Sequence, residues 1–190
     1  MKIPIDVPDG TKGEWRVETI EVPENDFSQI LSAMKTGRSV PGGKYKRLLR
    51  NGTCVMSNTP NEIRDFMRFV LKAEGIVLVN GLGLGVLLKA LLDKPTITEV
   101  TVIEKSKDVI DLVGPTYLKD ERVAIIHADA FEYKPPKGKR YNAVWHDIWD
   151  YICGDNVDEM KTLHRKYGRR SNYQESWCRY LCEQQNRKTW

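Results

Sequence analysis

The chain has 190 residues, a formal net charge of +4, 41% hydrophobic and 29% charged residues, which suits one main domain with a small appendage and excludes wholesale disorder. No apolar run reaches the ~18 residues of a membrane-spanning helix, and the start MKIPIDVPDG has no apolar signal segment, so a cytoplasmic protein without a membrane partner is expected. The four scattered cysteines, Cys54, Cys153, Cys178 and Cys182, fit buried or half-buried thiols in a reducing compartment better than a disulfide framework or a zinc site.

Residues 1–60 read as a small N-terminal α+β extension. WRVETIEV, Trp15 to Val22, alternates like a strand and ends at Pro23. Asn25 or Asp26 can cap a helix through Ile30, Leu31 and Met34, and Thr36 to Lys44 is a loop by composition. Asn51-Gly52, between two short runs, predicts a β-hairpin. Thr59 can cap a helix with Pro60 at its first position and Glu62 closing a capping box. The stripe Ile63, Phe66, Met67, Val70 and Leu71 then faces a core and stops near Gly75.

From Ile76 the rhythm changes. IVLVN enters a glycine-rich turn, VLLKALL is helical and TEVTVIE is β-rich. Ser106 can cap a helix ended by Gly114-Pro115, and VAIIHA and YNAVWHDIW are two more β-rich runs. Short apolar strands separated by helices predict a parallel sheet of about four strands with helices on both sides. The tail predicts two helices, Val157 to Tyr167 capped by Asn156 and Tyr173 to about Asn186, with no strand after Trp149.

The turn carries Gly81-x-Gly83-x-Gly85. Glycines at the end of a parallel strand permit a sharp turn and close backbone approach, with the next helix's free N–H groups toward a ligand. The spacing is tighter than the dinucleotide pattern, and the lysine and hydroxyl of a P-loop are missing. Glu104 ends the next β-rich run, 19 residues beyond Gly85, where a carboxylate can accept both hydrogen bonds of a ribose diol. Asp129 follows the third run beside the backbone of Ala130 and Phe131, a setting that suits a polar base edge. Glycines, Glu104 and Asp129 at three successive strand ends predict a ligand site there.

VLVNGLGLG at 77–85, TVIEKS at 101–106, IIHADAF at 125–131 and YNAVWHDIWD at 141–150 together span about 75 residues. In that order and spacing the chain resembles the class I S-adenosylmethionine-dependent methyltransferases, with features of their spermidine-synthase-like relatives. The resemblance implies a Rossmann-like fold over 61–190 with a shortened parallel sheet, an N-terminal β-hairpin extension and a helical C-terminal tail. By that resemblance Gly81, Gly83 and Gly85 surround the amino-acid end of S-adenosylmethionine, Glu104 holds its ribose, and Asp129 with Ala130 reads adenine. Asp147 falls in the chemical position or makes a second contact to the cofactor's amino group, and Asp147-x-x-Asp150 looks like the acidic pair with which aminopropyltransferases handle a cationic amine. Val79 stands where many methyltransferases carry an acid, and Leu84 where the aminopropyltransferase turn usually does.

Three functions follow from these readings. One is an S-adenosylmethionine-dependent methyltransferase of unknown acceptor; another is an aminopropyltransferase-like enzyme acting on a small amine. The third is a noncatalytic nucleoside-binding or scaffold protein with basic docking surfaces. Lys35, Arg38, Lys44, Lys46, Arg47 and Arg50 occur between 27 and 61 without an acid, and residues 161–190 hold eight basic side chains against Glu175 and Glu183. Such clusters suit nucleic acid, an acidic partner or a solvated face. Exposed apolar area around Trp15, Trp149 or the tail would support a homodimer. His127, His146 and His164 form no metal set in sequence; His127 reads as a structural histidine, and Trp145 and Trp149 either wall the pocket or pack under a helix.

Overall fold

The computed structural model describes residues 2–24 and 40–188. The predicted helix through Ile30 to Met34, with Lys35 and Arg38, lies outside the described residues. Strands β1 (Gly10–Lys12), β2 (Trp15–Val22), β3 (Gly43–Arg50) and β4 (Thr53–Ser57) form one antiparallel sheet in chain order. Asn51 and Gly52 both take positive φ, 49° and 81°, as the two-residue turn of a tight hairpin requires. The Asn51-Gly52 hairpin is therefore part of a four-stranded sheet.

Helix α1 (Pro60–Lys72) starts at the predicted proline, but Thr59 makes no side-chain cap bond. Glu62 instead accepts from the backbone N–H and the hydroxyl of Ser57, each at 3.0 Å, which ties the helix start to the end of β4. Ile63, Phe66 and Val70 are buried as expected together with Phe69, whereas Leu71 is 74% exposed. The inward face is centred closer to Phe69 than the sequence stripe suggested.

The second sheet is built from β5 (Gly75–Asn80), α2 (Val86–Leu92), β6 (Ile97–Glu104), α3 (Lys107–Tyr117), β7 (Val123–His127), β8 (Tyr141–His146), α4 (Asn156–Tyr167), β9 (Ser171–Ser176) and α5 (Arg179–Lys188). Its five strands are all parallel in the order β7-β6-β5-β8-β9, a Rossmann-like α/β arrangement. Three expectations are corrected. A fifth strand, β9, follows Trp149, so the second tail helix begins at Arg179; Tyr173 is in the strand, stacked on Phe69 at 5.7 Å between ring centres. Helix α3 runs through Gly114-Pro115 to Tyr117, and the Leu118 N–H still reaches the Gly114 carbonyl at 3.0 Å. Asn156 lies inside α4, where its amide donates to the Tyr151 carbonyl.

Both faces of the parallel sheet are covered, so its central strands need no polar side. Val77, Val79, Val100 and Val102 share one buried cluster with Phe69 of α1 and with Val17 and Leu48 of the antiparallel sheet. On the other face Leu78, Ile103 and Val144 pack with Leu163 and Tyr167 of α4. At ~1.5–3 kcal/mol for each fully buried large apolar side chain, the shared cluster binds the N-terminal sheet firmly to the core. Chain order reverses between β5 and β8, and in open parallel sheets such a switch point leaves a crevice at the carboxyl ends of the strands. Among the described residues no helix is long and apolar enough to cross a membrane.

Candidate functional site

A cavity of about 530 Å³ opens at that switch point, within the range of small-molecule sites. One wall is the turn after β5. The Gly81, Gly83 and Gly85 φ values are +99°, +51° and +71°, a region that side chains rarely tolerate. Each glycine also faces a protein neighbour. A Cβ on Gly81 would lie 1.9 Å from the Asp147 carbonyl oxygen, one on Gly83 2.3 Å from the Met56 sulfur, and one on Gly85 2.2 Å from the Tyr117 ring. Gly81 and Gly83 line the cavity, while Gly85 packs behind it. The turn amides are likewise engaged: Gly81 N–H with the Ile103 carbonyl, Leu82 N–H with Glu104, Leu84 N–H with the Met56 sulfur and Gly85 N–H with the Leu82 carbonyl.

Glu104, at the end of β6, stands beside the glycine turn. One carboxylate oxygen accepts from Leu82 N–H at 2.9 Å and the other from Ser106 N–H at 2.7 Å. Burial raises its pKa above the ordinary glutamate value despite the Ser106, Leu82 and Lys105 amides that favour the charged form. A carboxylate has about four acceptor positions, so Glu104 keeps capacity on its cavity side. Asp129, beyond β7, accepts from Phe131 N–H at 2.7 Å and pairs with Lys105 at 2.9 Å. The lysine holds its pKa below the usual aspartate value. Ala130 is buried beside it, its carbonyl taken by the Lys166 ammonium at 2.8 Å, and both Asp129 and Ala130 line the cavity.

Asp147 follows β8, its N–H bonded to the Asn80 carbonyl at 2.8 Å. Asp147 lines the cavity, and its carboxylate accepts from the Trp145 indole N–H at 3.5 Å. Burial pushes its pKa up to about 7, with Glu62 and Asp65 adding like-charge repulsion. Asp150 is at the exposed mouth, 3.3 Å from Arg50 of β3. The two acids thus occupy different settings, one desolvated and one paired.

The structure brings to the cavity residues that the sequence reading did not place there. Glu14, Trp15, Arg50 and Met56 reach the cavity from the antiparallel sheet, and Glu62, Glu159 and Trp177 from the helical side or the end of β9. Adding Glu14, Glu62 and Glu159 to Glu104, Asp129, Asp147 and Asp150 gives seven lining carboxylates, against the cations Arg50 and Lys105, among the described residues. Arg50 pairs with Glu14 and Asp150, and Lys105 with Asp129. Trp145 is a core residue 5.1 Å from Phe69, whereas Trp149 donates to Glu159 at 2.6 Å; both line the cavity, so each tryptophan serves packing and wall together. A carboxylate-rich, tryptophan-walled hollow favours a cation.

Outside the cavity, His127 is exposed and meets the Lys105 carbonyl. His146 and His164 lie on the opposite side of the sheet among Asn80, Gln174 and Ser176. Among the described residues, no group of three or more His, Cys, Asp or Glu side chains is placed to hold a metal ion.

No protein-family model and no curated protein matches the chain. Solved structures do. The CcbJ methyltransferase from Streptomyces caelestis is 19% identical, with 60% of this chain and 45% of that one covered and a TM-score of 0.46. A spermidine synthase in complex with the transition-state analogue AdoDATO is 16% identical, with coverage of 83% and 52% and a TM-score of 0.49. The spermidine synthase from Thermotoga maritima is 18% identical, with the same coverage and a TM-score of 0.47. The chain spans about half the length of these proteins.

Proposed function

We propose that the protein is a transferase that binds S-adenosylmethionine and passes its methyl group to a nucleophilic acceptor. The observation that carries this reading is the Glu104 carboxylate, held against the glycine turn at the cavity wall with acceptor capacity to spare. The residues fit the ligand at two of its parts: Glu104 suits a ribose diol, and the carboxylates and tryptophans suit a sulfonium and an ammonium. At the turn the Met56 side chain abuts Gly83, so the amino-acid end must pack against or displace a flexible thioether. When bound, S-adenosylmethionine supplies a methyl carbon activated by the sulfonium. Glu104 fixes the nucleoside, the tryptophan walls exclude water, and Asp147 receives the proton that an attacking amine gives up. A carboxyl titrating near neutrality is suited to that transfer, and the Trp145 indole orients it. Alignment of the nucleophile supplies the rest.

A second reading is aminopropyl transfer from the decarboxylated cofactor to a small amine. It is favoured by Glu62 and Asp65, which place further negative charge near Asp147 and would repel the carboxylate that decarboxylation removes. Calorimetric titration with S-adenosylmethionine, its demethylated product and the decarboxylated form separates the two. Preference for the first pair supports methyl transfer, preference for the third supports aminopropyl transfer, and silence toward all three overturns both. Glu104→Ala should weaken the preferred ligand tenfold or more, as expected for loss of charged hydrogen bonds worth ~1.5–3 kcal/mol. Unchanged affinity would remove Glu104 from the site.

A further inference from the structure

Much of the basic stripe in the N-terminal region is neutralised by folding. Across the β2–β3 register Lys44 faces Glu21 and Arg47 faces Glu18. Arg47 pairs with Glu18 at 2.5 Å, Lys46 with Asp9 at 2.6 Å, and Arg50 with Glu14 at 2.8 Å. The tail cluster behaves differently. Its segment Arg165–Arg170, RKYGRR, lies against KPPKGKR, Lys134–Arg140, and neither segment contains an acid.

Their junction is held by carbonyls. Arg140 donates to the Arg169 carbonyl at 2.9 Å and Arg170 to the carbonyls of Pro136 and Lys139 at 3.5 and 3.3 Å, while Lys166, toward the cavity, donates to the carbonyls of Ala130 and Phe131 at 2.8 Å. Bonding to a neutral carbonyl holds a cation in place without cancelling its charge. Of these eight lysines and arginines, Lys139 alone makes an ion pair among the described residues, with Glu99 at 2.6 Å. The nearby acids Asp129 and Asp158 are paired with Lys105 and Lys161; Glu132 is exposed at the loop's start. The dipole at the end of α4 explains a preference for Arg165 and Lys166 there, but not the cations of the facing loop.

This face precedes β8 and β9, at the amino ends of the parallel strands, whereas the acidic cavity lies at their carboxyl ends. Six residues of β8 separate the two by roughly 20 Å at ~3.3 Å per residue. We propose that Lys134–Arg140 and Arg165–Arg170 form a docking surface for a nucleic-acid phosphodiester backbone. Cations spread over two segments match a repeating polyanion better than a single phosphate. The loop offers prolines and no large apolar side chain, the opposite of a membrane-seated basic segment. The surface is independent of the transferase reading; Lys166, whose ammonium reaches the carbonyls of the cavity-lining Ala130 and Phe131, marks its edge nearest the cavity.

The test is fluorescence anisotropy on the full chain with labelled RNA and DNA single strands and a DNA duplex, each about 20 units long, between roughly 50 and 200 mM salt. Micromolar binding that weakens roughly 50- to 150-fold across that range is expected for about four neutralised phosphates. Lys134→Ala, Lys137→Ala, Arg165→Ala and Arg169→Ala combined should abolish most of the binding and flatten the salt slope, whereas Lys44→Ala with Lys46→Ala and Arg47→Ala should not. Lys137→Glu alone, on an exposed loop, should weaken binding severalfold and guards against misfolding of the combined variant. No binding at the lowest salt, a salt-independent affinity, equal binding by both Lys137→Glu and the fourfold variant, or tighter binding to phosphatidylserine vesicles than to nucleic acid would overturn the proposal.

Discussion

At the scale of single residues, the glycine turn and Asp147 make opposite demands. Gly81 combines a φ of +99° with an Asp147 carbonyl oxygen 1.9 Å from any added Cβ; backbone must move to admit a methyl. Gly52 has a φ of +81° but nothing within 4 Å of that position. Gly81→Ala is expected to cost on the order of 3 kcal/mol or more and Gly52→Ala roughly 1 kcal/mol in urea unfolding. Equal costs would mean that conformation alone, and not the close contact, matters at Gly81. For Asp147 the folded pKa of about 7 stands above the ordinary 3.8, so the native state takes up its proton before the unfolded chain as pH falls. Its ionised form therefore costs stability above pH 7, and the cost disappears as pH drops toward 4. Asp147→Asn should stabilise the fold by on the order of 2–4 kcal/mol at pH 8 and barely at pH 4, while turnover falls. A stabilisation independent of pH would contradict the raised pKa. The cavity-lining acids were readable because each follows an apolar run; the raised pKa values of Glu104 and Asp147 were not, since they come from burial that no linear window shows, nor was the lowering of Asp129 by Lys105.

Among the elements, the strands that read clearly are those buried on both faces. IVLVN, TVIE and NAVWH are apolar at their centres and polar only at their ends, and their β-rich character survives without any knowledge of neighbours. β9, with SNYQES, offers Tyr173 alone as a large apolar side chain because it is an edge strand; only its pairing with β8 reveals it. Helix α3 passes Gly114-Pro115 near its end, where the missing proline N–H removes a single helical bond and packing outweighs the local signal. β9 also completes a buried polar layer. Gln174 accepts from the His146 Nε2 side at 3.2 Å while Asn80 meets Nδ1 at 2.8 Å, and Ser176 meets His164 at 2.8 Å. Burial pushes His146 down to about 3 and His164 to about 4, so both stay neutral. The unfolded chain protonates them first, and stability is lost as pH falls from about 6.5 toward those values. In an Asp147→Asn background, which removes the opposing contribution of that carboxyl, urea midpoints should drop between pH 7 and pH 4.5, with a shallower slope when His146→Gln is added. An unchanged slope would place the acid sensitivity elsewhere.

At the scale of the molecule, a net charge of +4 conceals two ends of opposite sign, the carboxylate-lined cavity and the basic face before β8 and β9. Linear windows do not show the pairing of the N-terminal stripe, because its acids come from earlier in the chain, Glu18 on the facing strand and Asp9 and Glu14 before it. The same sheet supplies Trp15, Arg50 and Met56 to the cavity, so the N-terminal region is a wall of the site as well as an extension. Ligand binding should accordingly slow amide exchange around Trp15 and Arg50 as well as after β5, β6 and β8. Protection confined to residues 77–150 would make the antiparallel sheet a bystander. The steric role of the glycines carries one last consequence. Because Asp147, Met56 and Tyr117 occupy the space beside them in the fold itself, a descendant without catalytic chemistry would still keep all three. The glycine signature marks a requirement of shape, and evidence of a working enzyme must be sought at Asp147, because Glu104 also ties the turn through the Leu82 and Ser106 amides.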